Sequence, residues 1–139
     1  MRKTETLTEK HLLAAPPDDY MNEGQLEFFR RRLLDIQAEL ARNAAQTTRE
    51  MREMVVPSDP ADRATLEEEY ALELRTRERE LNLSTKIGAA LRRIDDGTYG
   101  FCEETGEPIG IARMLARPTA TLTVEAQERR ERMKKTYGD

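Results

Sequence analysis

The chain has 139 residues, with 23 Lys and Arg against 27 Asp and Glu and a formal net charge of −4, a balance that does not favour counterion-release binding to nucleic acid. With 36% charged residues, 5% aromatics and no Trp, it lacks the bulky apolar material of a large globular core and suits long, solvated helices in one domain-sized unit. No run approaches the ~20 apolar residues of a membrane span, Met1–Ala15 has no signal-peptide core, and the single cysteine, Cys102, excludes an internal disulfide or multi-cysteine metal site; a cytoplasmic protein is expected.

Residues 1–20, with Pro16, Pro17 and a loose polar composition, read as a flexible lead-in that docks late in its length. A helix starts near Asn22, which can cap it, and Leu26, Phe29, Leu33, Ile36 and Leu40 recur at 3-and-4 spacing, the mark of a coiled-coil seam. Asn43, Thr47, Met51 and Met54 continue the seam more weakly until Pro57 and Pro60 stop the helix. A second helix runs from Pro60 to Asp96, with Leu66, Tyr70, Leu74, Leu81, Ile87, Leu91 and Ile94 as seam candidates, and Gly97 ends it. Two helices of about 33–35 residues joined by a short Pro-containing turn must lie antiparallel, each spanning roughly 50 Å. The prediction is therefore a mainly α fold whose residues 21–97 form a long antiparallel coiled-coil hairpin with its tip near 57–64.

Glycines, Pro108 and aromatics at turn spacing mark residues 98–123 as a small knuckle, with Tyr99, Phe101, Ile109, Ile111, Leu115 and Leu122 as its miniature core. A C-terminal helix occupies 124–139, strongest over Val124 to Tyr137 and rich in Glu, Arg and Lys. An intramolecular hairpin buries its own seam, so a monomer is expected.

The run Tyr99-Gly-Phe-Cys102-Glu-Glu-Thr105-Gly-Glu-Pro-Ile-Gly-Ile111, followed by Ala116-Arg117-Pro118-Thr119-Ala120, resembles the zinc-ribbon segment of the DksA/TraR family. Asp19-Tyr20-Met21-Asn22-Glu23, Asp59-Pro60-Ala61-Asp62-Arg63-Ala64 and Glu67-Glu68-Glu69-Tyr70-Ala71-Leu72-Glu73-Leu74-Arg75 resemble its longer members, so the similarity is nearly continuous from Tyr20 to Lys135. The family pattern C-x-x-C…C-x-x-C falls here on Cys102, Thr105, Thr123 and Ala126. One thiolate and two hydroxyls do not make a tetrahedral Zn²⁺ site, and the only histidine, His11, lies in the lead-in, so a degenerate zinc finger held by packing is expected. Cysteine-poor members of the family exist, and the loss is compatible with its function.

The resemblance implies a factor that enters the secondary channel of bacterial RNA polymerase and regulates initiation, ribosomal RNA promoters included, together with the nucleotide alarmone ppGpp. It places Asp59, Asp62 and Ala64 at the tip near the polymerase active site. It ties Arg79, Leu83, Lys86 and Arg117 to a ppGpp site formed with polymerase, and sets Gln127 where many relatives have Lys. The residues alone also admit plainer roles. Asp59 and Asp62 suit the cap and first turn of helix two, the cations suit solvated helix faces, and Cys102 beside Glu103 and Glu104 reads as an inert remnant. The downstream cations Arg113, Arg117, Arg129, Arg130, Arg132, Lys134 and Lys135 outnumber Glu125, Glu128 and Glu131. No catalytic constellation is present in the sequence, which reads as a non-enzyme without sequence-specific DNA contacts. The alternatives are a Gre-like transcript-cleavage factor, whose tip carboxylates recruit a second Mg²⁺, and a coiled-coil adaptor in which the tip has no role.

Overall fold

The computed structural model describes residues 7–137, and what the sequence suggests for residues 1–6, 138 and 139 lies outside them. Five α-helices follow one another: α1 (Glu9–Ala14), α2 (Glu23–Arg52), α3 (Pro60–Asp96), α4 (Ile111–Ala116) and α5 (Val124–Tyr137). Among the described residues the one extended pairing is an isolated antiparallel bridge from Phe101 to Pro108. The expected class, mainly helical with a long hairpin, holds. The chain divides into two compact units, Met1–Leu33 with Ala89–Asp139, and Leu34–Gly88.

In the first unit, residues 7–20 of the lead-in, expected to be flexible and to dock late in its length, already dock from Thr8 onward. Thr8 and His11 close a reciprocal capping box on α1, Pro17–Asp19 form a 3-10 turn, and Leu12 is 1% exposed. A buried leucine contributes roughly 1.5–3 kcal/mol, which offsets part of the entropy of ordering so short a helix. Helix α1 lies against α4, and Glu9 pairs with Arg32 of α2 at 2.8 Å. Asn22 caps α2 as expected, its Oδ1 accepting the Gln25 amide at 2.9 Å, while the Gln25 side chain turns back to accept from Met21 N–H at 2.8 Å. Phe29, Leu33, Ala90, Ile94, Tyr99, Met114 and Leu122 then form the buried core, with Phe29 and Tyr99 ring centroids 5.5 Å apart. Arg30 and Asp95 join α2 to α3 at 2.8 Å.

Helix α3 ends at Gly97, where φ is +82 and the Gly97 and Thr98 amides reach back to Ile94 and Arg93 carbonyls at 3.3 and 3.0 Å. This is a Schellman ending, which favours glycine at that position.

The second unit has a thin seam. Among its larger apolar side chains Ile87 is fully buried, while Ile36, Leu40, Met51, Met54 and Leu66 are half-buried and Thr47 is buried. The seam drawn through Tyr70, Leu74 and Leu81 is corrected, because these side chains are 44, 49 and 51% exposed. The inward positions are instead Leu66, Glu73, Glu80 and Ile87, seven apart, with Arg77 and Ser84 between them. Leu74 and Leu81 stand one residue, about 100°, off that line. Asn43 is likewise exposed and its neighbour Ala44 takes the half-buried place.

Candidate functional site

The turn of the second unit carries the expected carboxylates. After α2 the chain runs irregularly to Ser58, and Asp59 then accepts the Asp62 amide on Oδ2 at 3.3 Å while its own carbonyl accepts from Arg63 at 2.9 Å. Asp59 is thus the N-cap of α3, with Pro60 at the first helical position, where a missing N–H costs nothing. Asp62 is exposed, and its carboxylate makes no hydrogen bond or ion pair among the described residues. Ala64, Glu67, Glu68 and Glu69 are exposed as well. None of the ion pairs among the described residues involves Leu34–Gly88. The turn carboxylates thus enter no ion pair among the described residues, and Arg63 is the one cation in the run from Asp59 to Glu69.

On α3 the spacing of Arg79, Leu83 and Lys86 puts them within an arc of about 60°. All three are exposed, Leu83 at 37%, and Arg79 and Lys86 enter no ion pair among the described residues. Arg117 belongs to the first unit, where it ends α4 with its amide bonded to the Arg113 carbonyl at 2.8 Å and its side chain exposed. Of the other downstream cations, Arg113 donates to the Leu122 carbonyl at 2.9 Å, and Arg129 and Arg130 pair with Glu104. Arg132, Lys134 and Lys135 remain exposed.

The knuckle is organised by two tyrosines. Tyr20 donates its hydroxyl to the Gly100 carbonyl at 2.6 Å, accepts from the Gly110 amide at 2.9 Å, and meets Phe101 edge-on with centroids 5.5 Å apart. Burial raises its pKa despite backbone hydrogen bonds from Gly110 and Ile109. Tyr99 donates to the Pro118 carbonyl at 2.7 Å, and burial, with Tyr20 nearby, raises its pKa strongly. Gly100 allows the close approach, since a Cβ there would lie 2.7 Å from Met21 Cε.

Cys102, Thr105, Thr123 and Ala126 do come together, but as a hydrogen-bonded cluster. Thr123 offers its hydroxyl to Cys102 Sγ at 3.9 Å and caps α5 by accepting the Ala126 amide at 3.1 Å, while Thr105 accepts the Glu107 amide at 3.2 Å. Two hydroxyls already engaged in this way, one thiol and a methyl group do not fit a Zn²⁺ ion. No group of three or more His, Cys, Asp or Glu able to hold a metal occurs among the described residues.

Cys102, read from the sequence as an inert remnant beside Glu103 and Glu104, has a thiol that ionises more readily than that position suggests. Burial opposes ionisation, but hydrogen bonds from the Thr105 side chain and from the Thr123, Glu104 and Thr105 backbone outweigh it and lower the thiol pKa to about 7. The flanking acids are engaged elsewhere, Glu103 with Arg93 and Arg130 and Glu104 with Arg129 and Arg130. Met114 in α4, fully buried, carries no sequence signal that marked it for the core. Of Thr121 and Thr123, both of which the sequence offers as leading into the last helix, Thr123 is the cap.

Taken together, the chain is a mainly helical protein with a carboxylate-bearing turn between its two long helices and a glycine-rich knuckle held by packing and hydrogen bonds. Residues 25–94 match the model of the DnaK suppressor protein DksA N-terminal domain, and residues 97–132 match that of the prokaryotic dksA/traR C4-type zinc finger. The chain belongs to the DksA family. An RNA polymerase-binding transcription factor DksA from Caulobacter vibrioides is 48% identical over 141 residues, covering 100% of this chain and 99% of that protein. Its Escherichia coli K12 counterpart is 42% identical over 113 residues, 81% of this chain and 75% of that one. Among solved structures, transcription factor DksA2 from Pseudomonas aeruginosa superposes with a TM-score of 0.82 at 48% identity, over 92% of this chain and 99% of its own.

Proposed function

We propose that this chain is an RNA polymerase-binding transcription factor that works through the polymerase secondary channel, with the Asp59–Ala64 turn brought near the active site. The observation that carries the reading is the full-length, 48% identical relative that bears the RNA polymerase-binding name. The exposed, unpaired Asp62 supports it, since an anionic turn is drawn to the basic groups and Mg²⁺ of a nucleotidyl-transfer centre. Helix α3 is 37 residues long, roughly 55 Å at 1.5 Å per residue, enough to reach through a deep channel.

Regulation of initiation, at ribosomal RNA promoters among others, occurs with ppGpp. Arg79, Leu83 and Lys86 on one face of α3, and Arg117 at the end of α4, contact the alarmone on the polymerase surface. Their exposed guanidinium and ammonium groups give charge-assisted bonds to phosphates. Gln127, where many relatives have Lys, supplies no cation to that contact and donates instead to Glu131 at 2.9 Å. The protein acts as a cytoplasmic monomer, needs no zinc and has no catalysis of its own.

Titration of the full chain onto purified core polymerase tests the reading. Saturable binding that competes with a transcript-cleavage factor for the channel is expected, and ppGpp should tighten it less when Arg79→Ala and Lys86→Ala are combined. Absence of saturable binding by the folded chain would overturn it.

A further inference from the structure

We infer that Val55 and Val56 form a second, apolar contact of the turn, seated in an apolar depression of polymerase beside the cationic ground that receives Asp59 and Asp62; this rests on the polymerase-binding reading above. The two valines are 82 and 71% exposed, more than any of the other exposed large hydrophobic side chains. They follow the end of α2 in an irregular stretch and take part in none of the hydrogen bonds among the described residues. They therefore contribute nothing to the fold that would explain their apolar character.

They are also prepared for binding. Pro57 confines Val56 to extended backbone, and branching at Cβ leaves a valine few rotamers to lose, so docking orders little that is not already ordered. Half-buried Met54 and Pro57 flank them and widen the apolar surface.

The occupant follows from position and charge. Val55 and Asp59 are four residues apart in one connection, so at most about 3.6 Å per residue separates them, and the surface that receives the carboxylate also receives the valine. A second copy of this chain is disfavoured, since its own Asp59, Asp62 and Glu67–Glu69 would face like charges across the contact, with Arg63 as the one cation among them. An anionic lipid surface is disfavoured for the same reason.

The experiment titrates purified core polymerase with three full-length proteins: wild type, the double variant Val55→Ser with Val56→Ser, and the double variant Val55→Ile with Val56→Ile. Competition against labelled wild-type chain is read together with thermal unfolding and sedimentation. The serine variant should unfold at the wild-type temperature yet need about tenfold or more higher concentration to compete, as expected for two exposed valines buried on binding. The isoleucine variant should compete within a few fold of wild type. Equal competition by the serine and wild-type proteins overturns the inference and leaves the polymerase-binding reading standing. Failure of the wild type itself to bind sinks that reading and the inference with it. A wild-type dimer that the serine variant dissolves assigns the valines to self-association and also overturns it.

Discussion

Asp59 caps α3, and one substitution can separate that role from the one proposed for its charge at polymerase. Asn caps a helix as well as Asp does and Ala does not, so Asp59→Ala should destabilise the chain by about 1 kcal/mol in chemical denaturation while Asp59→Asn leaves stability within a few tenths. Loss of polymerase regulation in Asp59→Asn would then report on charge alone. Cys102 gives a pH prediction. A thiol lowered from 9.0 to about 7 in the folded chain contributes stability that is fully present above pH 9 and lost as pH falls through about 7. Between those limits the wild type should gain stability with rising pH relative to Cys102→Ser; equal slopes would show that the thiol gains nothing on folding. The residue types at the turn and at the former metal positions were legible in sequence. The ionisation of Cys102 was not, because Glu103 and Glu104 stand next to it in the chain while their charge is committed to Arg93, Arg129 and Arg130, contacts that local sequence does not disclose.

At the scale of the element, α3 shows where apolar periodicity misleads. Its leucines Leu74 and Leu81 face outward, while Glu73, Arg77, Glu80 and Ser84 occupy the inward line between Leu66 and Ile87. Hydrophobicity draws the seam through the leucines, yet the seven-residue line from Leu66 through Ile87 to Ile94 is apolar at its ends. Glu80 Oε1 is buried without a hydrogen-bond partner among the described residues, an arrangement that costs about 1–3 kcal/mol. Glu80→Leu should therefore raise stability by an amount of that order in urea unfolding. Ile87→Ala should lower it by about 2–5 kcal/mol, whereas Leu81→Ser should change it by about 0.5 kcal/mol or less. A large loss in Leu81→Ser would restore the seam first drawn. Helix ends were more legible than faces: Asn22, Pro60 and Gly97 act through their own backbone and side-chain chemistry and need no distant partner.

For the whole molecule, the donor set at the four positions of the family's zinc pattern has the widest consequence, since one thiol, two hydroxyls and a methyl group do not fit Zn²⁺. Threonine hydroxyls, the Tyr20 and Tyr99 hydrogen bonds and the buried Met114 hold the knuckle where a four-thiolate relative would use an ion. Dialysis against a chelator should leave the unfolding temperature unchanged, and a drop of several degrees would mean that metal contributes to folding after all. The family and its hairpin were legible because four separated motifs stand in order along the chain. The docking of α1 was not, since a six-residue helix gains its stability from Leu12 meeting a core assembled from distant segments.

The most direct test of the account is transcription in vitro from a ribosomal RNA promoter by purified polymerase, with chelator-treated wild type compared with Asp59→Asn and Asp62→Asn. Inhibition that survives chelation, strengthens with ppGpp and is lost in the Asp62 variant is the predicted result. A folded wild type that leaves transcription unchanged, or variants that inhibit as it does, would contradict the account.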